Sequence, residues 1–163
     1  DCTAGLGQDS FLLAAAGFTV RMFERDETIA ALLEDGLSRA GNNPVVSGIA
    51  KRMSLERSDS LQYLAALVKS GDVPPDVIYL DPMFPARQKS AAVKKKFQLI
   101  HRLEAPCQNE GALLAAAISA GPRKVVIKRP VKGGHLAGIK PSYSITGKAV
   151  RYDVLVPPST KLQ

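Results

Sequence analysis

Two stretches of this chain are apolar at nearly every position: Val77-Ile78-Tyr79-Leu80 and Val125-Val126-Ile127. Side chains on a strand point alternately to opposite faces, so unbroken apolar character needs cover on both sides. Such strands belong to parallel sheets held between helices. The flanking sequence agrees. A β-rich run spans 18–24, and short strands are expected at 53–59, 76–81 and 124–130. Between them, Asp26 caps a predicted helix in which Ile29, Leu32, Leu33 and Leu37 share a face. A second helix spans 60–71 and closes on Gly71; a third spans 109–121 and closes on Gly121-Pro122. The stretch 142–157 reads as two strands joined at Gly147-Lys148. Strands alternating with helices predict an α/β fold: a mostly parallel sheet, helices on both faces and an antiparallel C-terminal hairpin at one edge. No repeat and no second domain is visible, so 1–163 is read as a single domain. Its opening glycine turn should follow a first strand, and that strand and an N-terminal region are expected to be missing. Residues 71–76 read as a loop and 131–141 as a mobile one.

Charge is unevenly distributed along the chain. Residues 1–81 carry 12 acids and 7 Lys/Arg, whereas 82–152 carry 2 acids and 14 Lys/Arg. This asymmetry points to a polyanionic partner, most simply nucleic acid; the alternative is a solvated basic surface. No apolar run approaches the length of a membrane span. Cys2 and Cys107 form neither metal spacing nor a disulfide framework, which suits a reducing, cytoplasmic setting. His101 and His135 are isolated, and no metal is expected.

The opening DCTAGLGQD places Ala4, Gly5 and Gly7 in a turn after the expected first strand, ahead of a helix. Glycines there let the backbone approach a ligand and adopt positive φ. A dinucleotide fingerprint requires a third glycine, but Ser10 stands there, and Asp9 sets a negative charge where phosphates need donors. A cationic ligand without phosphates fits better, with Asp1 and Asp9 pairing to its amino group. Glu24, at the end of the second strand, can accept both hydroxyls of a ribose, and Arg25 can cover an edge. Asp59 and Ser60 can meet an adenine amino group. Together these strand ends describe a nucleoside-binding crevice. The arrangement resembles the class I S-adenosylmethionine-dependent methyltransferases, which implies a Rossmann-like fold and that cofactor.

The motif DPMFP at 81–85 resembles the [D/N]-P-P-[F/Y/W] turn of amino-methyltransferases, with Met83 in place of the second proline. An exocyclic amine on a base is a poor nucleophile, because its lone pair is delocalised into the ring. Acceptors must hold its N–H groups and aim the nitrogen at the methyl. Asp81 and the Pro82 carbonyl can be those acceptors, and Phe84 offers a face for an unstacked base. Proline biases the residue before it towards extended geometry, which stiffens the turn at Asp81 and Phe84.

DPMFPARQKSAAVKKKF, VVIKRP, TAGLGQD, RMFERD, AALLEDGLSRA and YSITGKAVRYDV are together similar to the bacterial small-subunit rRNA guanine-N2 methyltransferase J family. That resemblance implies methylation of a guanine N2 in 16S rRNA, on naked rRNA or the small ribosomal subunit. It implies cofactor contacts at Gln8, Asp9, Glu24, Arg25, Asp59, Ser60 and Asp81. Gln8 stands where such proteins often have Arg. Arg87, Lys89, Lys94 and Lys95 follow the motif, and Lys128 and Arg129 leave the fifth strand; these are expected to neutralise RNA phosphates. Two alternatives remain: a DNA adenine-N6 or cytosine-N4 amino-methyltransferase, and a non-catalytic RNA-binding module.

Overall fold

The computed structural model describes residues 1–82 and 109–158. Its strands are β1 (Val20–Phe23), β2 (Met53–Glu56), β3 (Val77–Leu80), β4 (Lys124–Pro130), β5 (Tyr143–Thr146) and β6 (Val150–Leu155). Its helices are α1 (Gln8–Ala15), α2 (Glu27–Gly41), α3 (Ser47–Ala50), α4 (Ser60–Ser70) and α5 (Glu110–Ser119). β1 and β2 pair in parallel, as do β3 and β4. The C-terminal hairpin docks antiparallel on β4 through β6, giving the order β3-β4-β6-β5.

The extended residues Asp1–Ala4 stand ahead of the glycine turn and run between β1 and β3. Cys2 N donates to Tyr79 O at 3.0 Å, Phe23 N donates to Asp1 O at 2.9 Å, and Ala4 N donates to Phe23 O at 3.2 Å. The two sheets are thereby joined through one short backbone segment. Beside it, the facing sides of β1 and β3 line a cavity of about 740 Å³.

Helices cover both faces. Ile78 and Leu80 of β3, with Val125 and Ile127 of β4, pack against Leu64 and Leu67 of α4 and Leu113, Leu114 and Ala117 of α5. Val20 and Met22 of β1 pack with Ala14 of α1 and Leu33 of α2. The other side of β1 meets α4, where Phe23 stacks on Tyr63 with ring centroids 4.5 Å apart. Among the described residues, no helix is long and apolar enough to cross a membrane.

Two expectations need correction. Asp26 does cap α2, its carboxylate accepting from Thr28 N and Ile29 N. The buried stripe of that helix, however, is Ile29, Ala30 and Leu33, while Leu32 is 51% exposed. At 3.6 residues per turn, a stripe centred between Ile29 and Ala30 leaves Leu32 on the flank. The stretch 131–141, expected to be mobile, is tied down instead. Arg151 donates from Nη1 to Val131 O (2.9 Å) and from Nη2 to Gly133 O (3.1 Å), Arg129 Nε donates to Gly134 O (2.9 Å), and Leu136 is buried.

Asp153 is the hub of that arrangement. It is 2% exposed and accepts from Arg151 and from Ser144 Oγ, with His135 Nδ1 3.0 Å away. Burial works to raise its pKa, but these hydrogen bonds outweigh it and hold the carboxyl well below the usual range. In the unfolded chain an aspartate titrates near about pH 3.9. The stabilisation is therefore complete above that pH and is lost as the pH falls towards the depressed folded value. Asp153→Ala should lower the unfolding free energy by ~3 kcal/mol near neutrality, since it strands a half-buried arginine. In urea titrations, the gap between wild type and variant should narrow below about pH 4.

Candidate active site

The carboxyl ends of β1, β2 and β3 converge beside the glycine turn. They border a crevice of about 120 Å³ to which Gly5, Glu24, Arg25, Asp59, Ser60 and Asp81 contribute. Thr3, Ser58, Leu61 and Pro82 complete much of the wall. Three carboxylates and one guanidinium line it. That balance suits a cation and works against a phosphate.

Each wall residue is held by backbone geometry. Glu24 leaves β1 and uses both carboxylate oxygens: Oε2 accepts from Gly5 N at 3.0 Å and Oε1 from Asp26 N at 2.8 Å. It thus fixes the glycine turn while lining the crevice. Asp59 caps α4 by accepting from Leu61 N at 2.9 Å. Ser60 is buried, and its Oγ donates to Cys2 O at 3.0 Å, tying α4 to the bridging segment.

Asp81 follows β3. Its backbone N donates to Thr3 Oγ1 at 2.7 Å, and its Oδ2 lies 2.9 Å from Lys128 Nζ. Burial pushes the Asp81 carboxyl above its ordinary pKa; the Lys128 hydrogen bond opposes that rise without cancelling it, and the charge of Asp9 adds to it. Pro82 is fully buried behind it.

Several residues expected to touch a ligand have other work. The Asp1 carboxylate accepts from Thr3 N (3.0 Å) and Ser10 Oγ (2.5 Å), so it braces the turn and does not line the crevice. Ala4 is packed in the core with Met22 and Leu33. Gly7 is buried at φ 74°, where it caps α1, and Gln8 is exposed on the first turn of α1. The Asp9 carboxylate is engaged by Lys128 Nζ at 2.6 Å and by Tyr79 OH at 2.8 Å, so a ligand's amino group would have to compete for it.

On β4, the two residues expected to meet RNA are both engaged within the protein. Lys128 is folded between Asp9 and Asp81. Arg129 is 5% exposed, on the opposite side of the strand, with burial depressing its pKa. Successive side chains of a strand alternate, and neither of these reaches outward as a phosphate clamp. Phe84, Arg87, Lys89, Lys94 and Lys95 lie outside the described residues. Among the described residues, Lys132, Lys140 and Lys148 are exposed beyond β4. Also among them, no group of His, Cys, Asp and Glu is arranged to hold a metal.

Sequence reasoning passed over Thr3, Tyr79 and the inward turn of Lys128. The last follows from the strand register, which the sequence does not show. In the parallel register Val77↔Lys124 to Leu80↔Ile127, the next step sets Asp81 beside Lys128.

A Cβ added at Gly7 would come within 2.6 Å of Leu33 Cδ1, in a left-handed conformation that side chains avoid. Gly7→Ala should therefore lower stability by ~2 kcal/mol, read as a shift of the urea midpoint. Gly17→Ala, with open space around it but a similarly positive φ, should cost less.

Residues 1–157 match the family model described as "Putative SAM-dependent methyltransferase". Over 157 residues the chain is 48% identical to the ribosomal RNA small subunit methyltransferase J of Neisseria gonorrhoeae, covering 96% of this chain and 62% of that protein. Its identity to the methyltransferase J of Pseudomonas aeruginosa is 49% over 154 residues, or 94% of this chain and 58% of that protein. The crystal structure of a SAM-dependent methyltransferase from N. gonorrhoeae superposes with a TM-score of 0.79 at 41% identity, over 100% of this chain and 63% of that one. An rRNA methyltransferase from Streptomyces viridochromogenes, at 14% identity and a TM-score of 0.58 (94% of this chain, 74% of that one), shares the fold. The chain therefore spans about three fifths of the length of the curated relatives it matches.

Proposed function

The chain belongs to the SAM-dependent methyltransferase family, and on that premise we propose that it methylates the exocyclic N2 of a guanine in 16S rRNA. The observation that carries this reading is Asp81-Pro82 at the end of β3, on the wall of the same crevice as Gly5, Glu24 and Asp59. The rRNA substrate is supported by relatives at 48 and 49% identity that are named for small-subunit ribosomal RNA. A cytoplasmic setting goes with that substrate.

The residues of the crevice fit S-adenosylmethionine. Carboxylates at Glu24 and Asp59 suit its ribose hydroxyls and adenine amine, Gly5 lets the chain pass close, and the negative wall suits a sulfonium. When bound, the cofactor supplies an electrophilic methyl group. The protein's part is to present the amine. The Asp81 carboxylate accepts one N–H, and the Pro82 carbonyl is the second acceptor; the two direct the nitrogen lone pair into the crevice. The nitrogen gains a carbon and must lose a proton. It becomes more acidic as the new bond forms, so Asp81 or a water beside it takes the proton. Phe84 is the proposed stacking platform for the base, and Arg87, Lys89, Lys94 and Lys95 the proposed phosphate contacts.

Asp81→Ala should reduce transfer of a labelled methyl group to unmodified small-subunit rRNA by at least ~10²-fold, with circular dichroism unchanged. Near-normal turnover would remove Asp81 from the chemistry. Methylation of DNA and not rRNA by the wild type would transfer the reading to a DNA amino-methyltransferase. Calorimetry without any S-adenosylmethionine binding would favour a non-catalytic RNA-binding module. Glu24→Gln should weaken cofactor binding roughly tenfold, the worth of one charge-assisted hydrogen bond, and affect turnover at saturation less.

A further inference from the structure

Lys128 is partly buried between two acids at the place where the amine is to be presented. Its Nζ lies 2.6 Å from Asp9 Oδ2 and 2.9 Å from Asp81 Oδ2, and its side chain is 24% exposed. Three elements produce this meeting. β3 and β4 run in parallel with Leu80 opposite Ile127, so Asp81 and Lys128 leave neighbouring strands side by side. Strand alternation sends Tyr79, Asp81 and Lys128 to the face opposite the Ile78, Leu80 and Ile127 core. α1 contributes Asp9 from its first turn, with Tyr79 OH donating to the same Asp9 oxygen that Lys128 contacts.

We infer that Lys128 is a positioning residue: bridging Asp9 and Asp81, it keeps the Asp81 carboxylate ionised and oriented to accept the N–H of the base. This rests on the reading of Asp81 as the amine acceptor. Two carboxylates converging on one point disfavour each other's charged form, and an intervening ammonium removes that penalty. Were Asp81 protonated, it would carry an O–H donor and lose acceptor capacity towards the amine. The charged and titratable groups that face Asp81 are Asp9 on α1, Tyr79 on β3 and Lys128 on β4; Arg129, on the other side of β4, acts on it through its charge alone. Of these, Lys128 alone contacts both carboxylates. Burial opposes its charge, but hydrogen bonds to Asp9 and Asp81 hold its pKa above the ordinary lysine value, so the bridge persists across the working pH range. Asp81 already sits above its ordinary pKa with this partner in place, so loss of Lys128 should raise it further.

Two measurements on the purified protein test the inference. The first follows the Asp81 side-chain carboxyl by ¹³C NMR through a pH titration, in the absence of substrate. Its midpoint should move to higher pH in Lys128→Met, remain near the wild-type value in Lys128→Arg, and move back down in Asp9→Asn/Lys128→Met. An unmoved midpoint in a folded Lys128→Met protein overturns the inference. The second is the pH profile of kcat for methyl transfer to rRNA. Lys128→Met should lower kcat at neutral pH on the order of 10²-fold, shift the acidic limb upward and recover in part at alkaline pH, with Lys128→Arg recovering activity at neutral pH. A raised KM for RNA with altered salt dependence and an unshifted limb would instead make Lys128 a phosphate contact, and would also overturn the inference. If the wild-type protein transfers no methyl group to rRNA, the proposed function fails, whereas the carboxyl titration still decides what Lys128 does.

Discussion

The segment Asp1–Gly5 is the part on which the site depends. Its backbone is bonded to β1 through Phe23 and to β3 through Tyr79, so it closes the gap between two separately paired sheets. The same few residues receive the Ser60 hydroxyl from α4, the Glu24 carboxylate from the end of β1 and the Asp81 amide from the end of β3. Every wall of the crevice is therefore referenced to one stretch of chain. Backbone hydrogen bonds have short, directional geometry, so displacing this segment would move the glycine turn, Glu24 and Asp81 together. The residues that look most like ligand contacts, Glu24 and Ser60 among them, also position one another.

The electrostatics follow from the same convergence. Carboxylates at the ends of three strands give the crevice a negative wall, which favours a cationic cofactor. Each of these acids also has partners inside the protein. Glu24 is satisfied by amide N–H groups of Gly5 and Asp26, Asp59 by the first turn of α4, and Asp9 and Asp81 by Lys128. A second buried acid, Asp153, is satisfied by Arg151, Ser144 and His135 at the far side of β4. There the result is mechanical, because Arg151 also grips the carbonyls of the loop that leaves β4.

Much of this was legible beforehand. The apolar runs at β3 and β4 announced a sheet covered on both faces, and Asp26, Gly71 and Gly121 marked helix ends that are found close to those positions. Glu24, Asp59 and Asp81 were picked out as strand-end acids, and all three line one crevice. Contacts between distant parts of the chain decide the rest. The basic character of Lys128 and Arg129 suggests contact with RNA, but their partners in the folded chain lie within the protein. Lys128 turns to Asp9 and Asp81, and Arg129 is buried on the other side of the strand, donating to the Gly134 carbonyl. Leu32 was placed on the buried face by spacing alone, which does not reveal where the stripe is centred. The loop at 131–141 carries glycines, which suggested mobility; its anchor is Arg151, twenty residues from the Val131 carbonyl it binds.

By itself, the sequence determined the alternation of strands and helices, the glycine turn and the placing of acids at strand ends. These are local properties: side-chain period, caps and backbone freedom act within a few residues of one another. Only the tertiary structure decided which charges meet. Asp9 and Lys128 are 119 positions apart, and Thr3 and Asp81 are 78. Their contacts come from strand register and from Asp9, which the first turn of α1 brings to Lys128. Because a one-residue change of register reverses every side chain on a strand, residue identity alone could not say whether Lys128 faces solvent or Asp81.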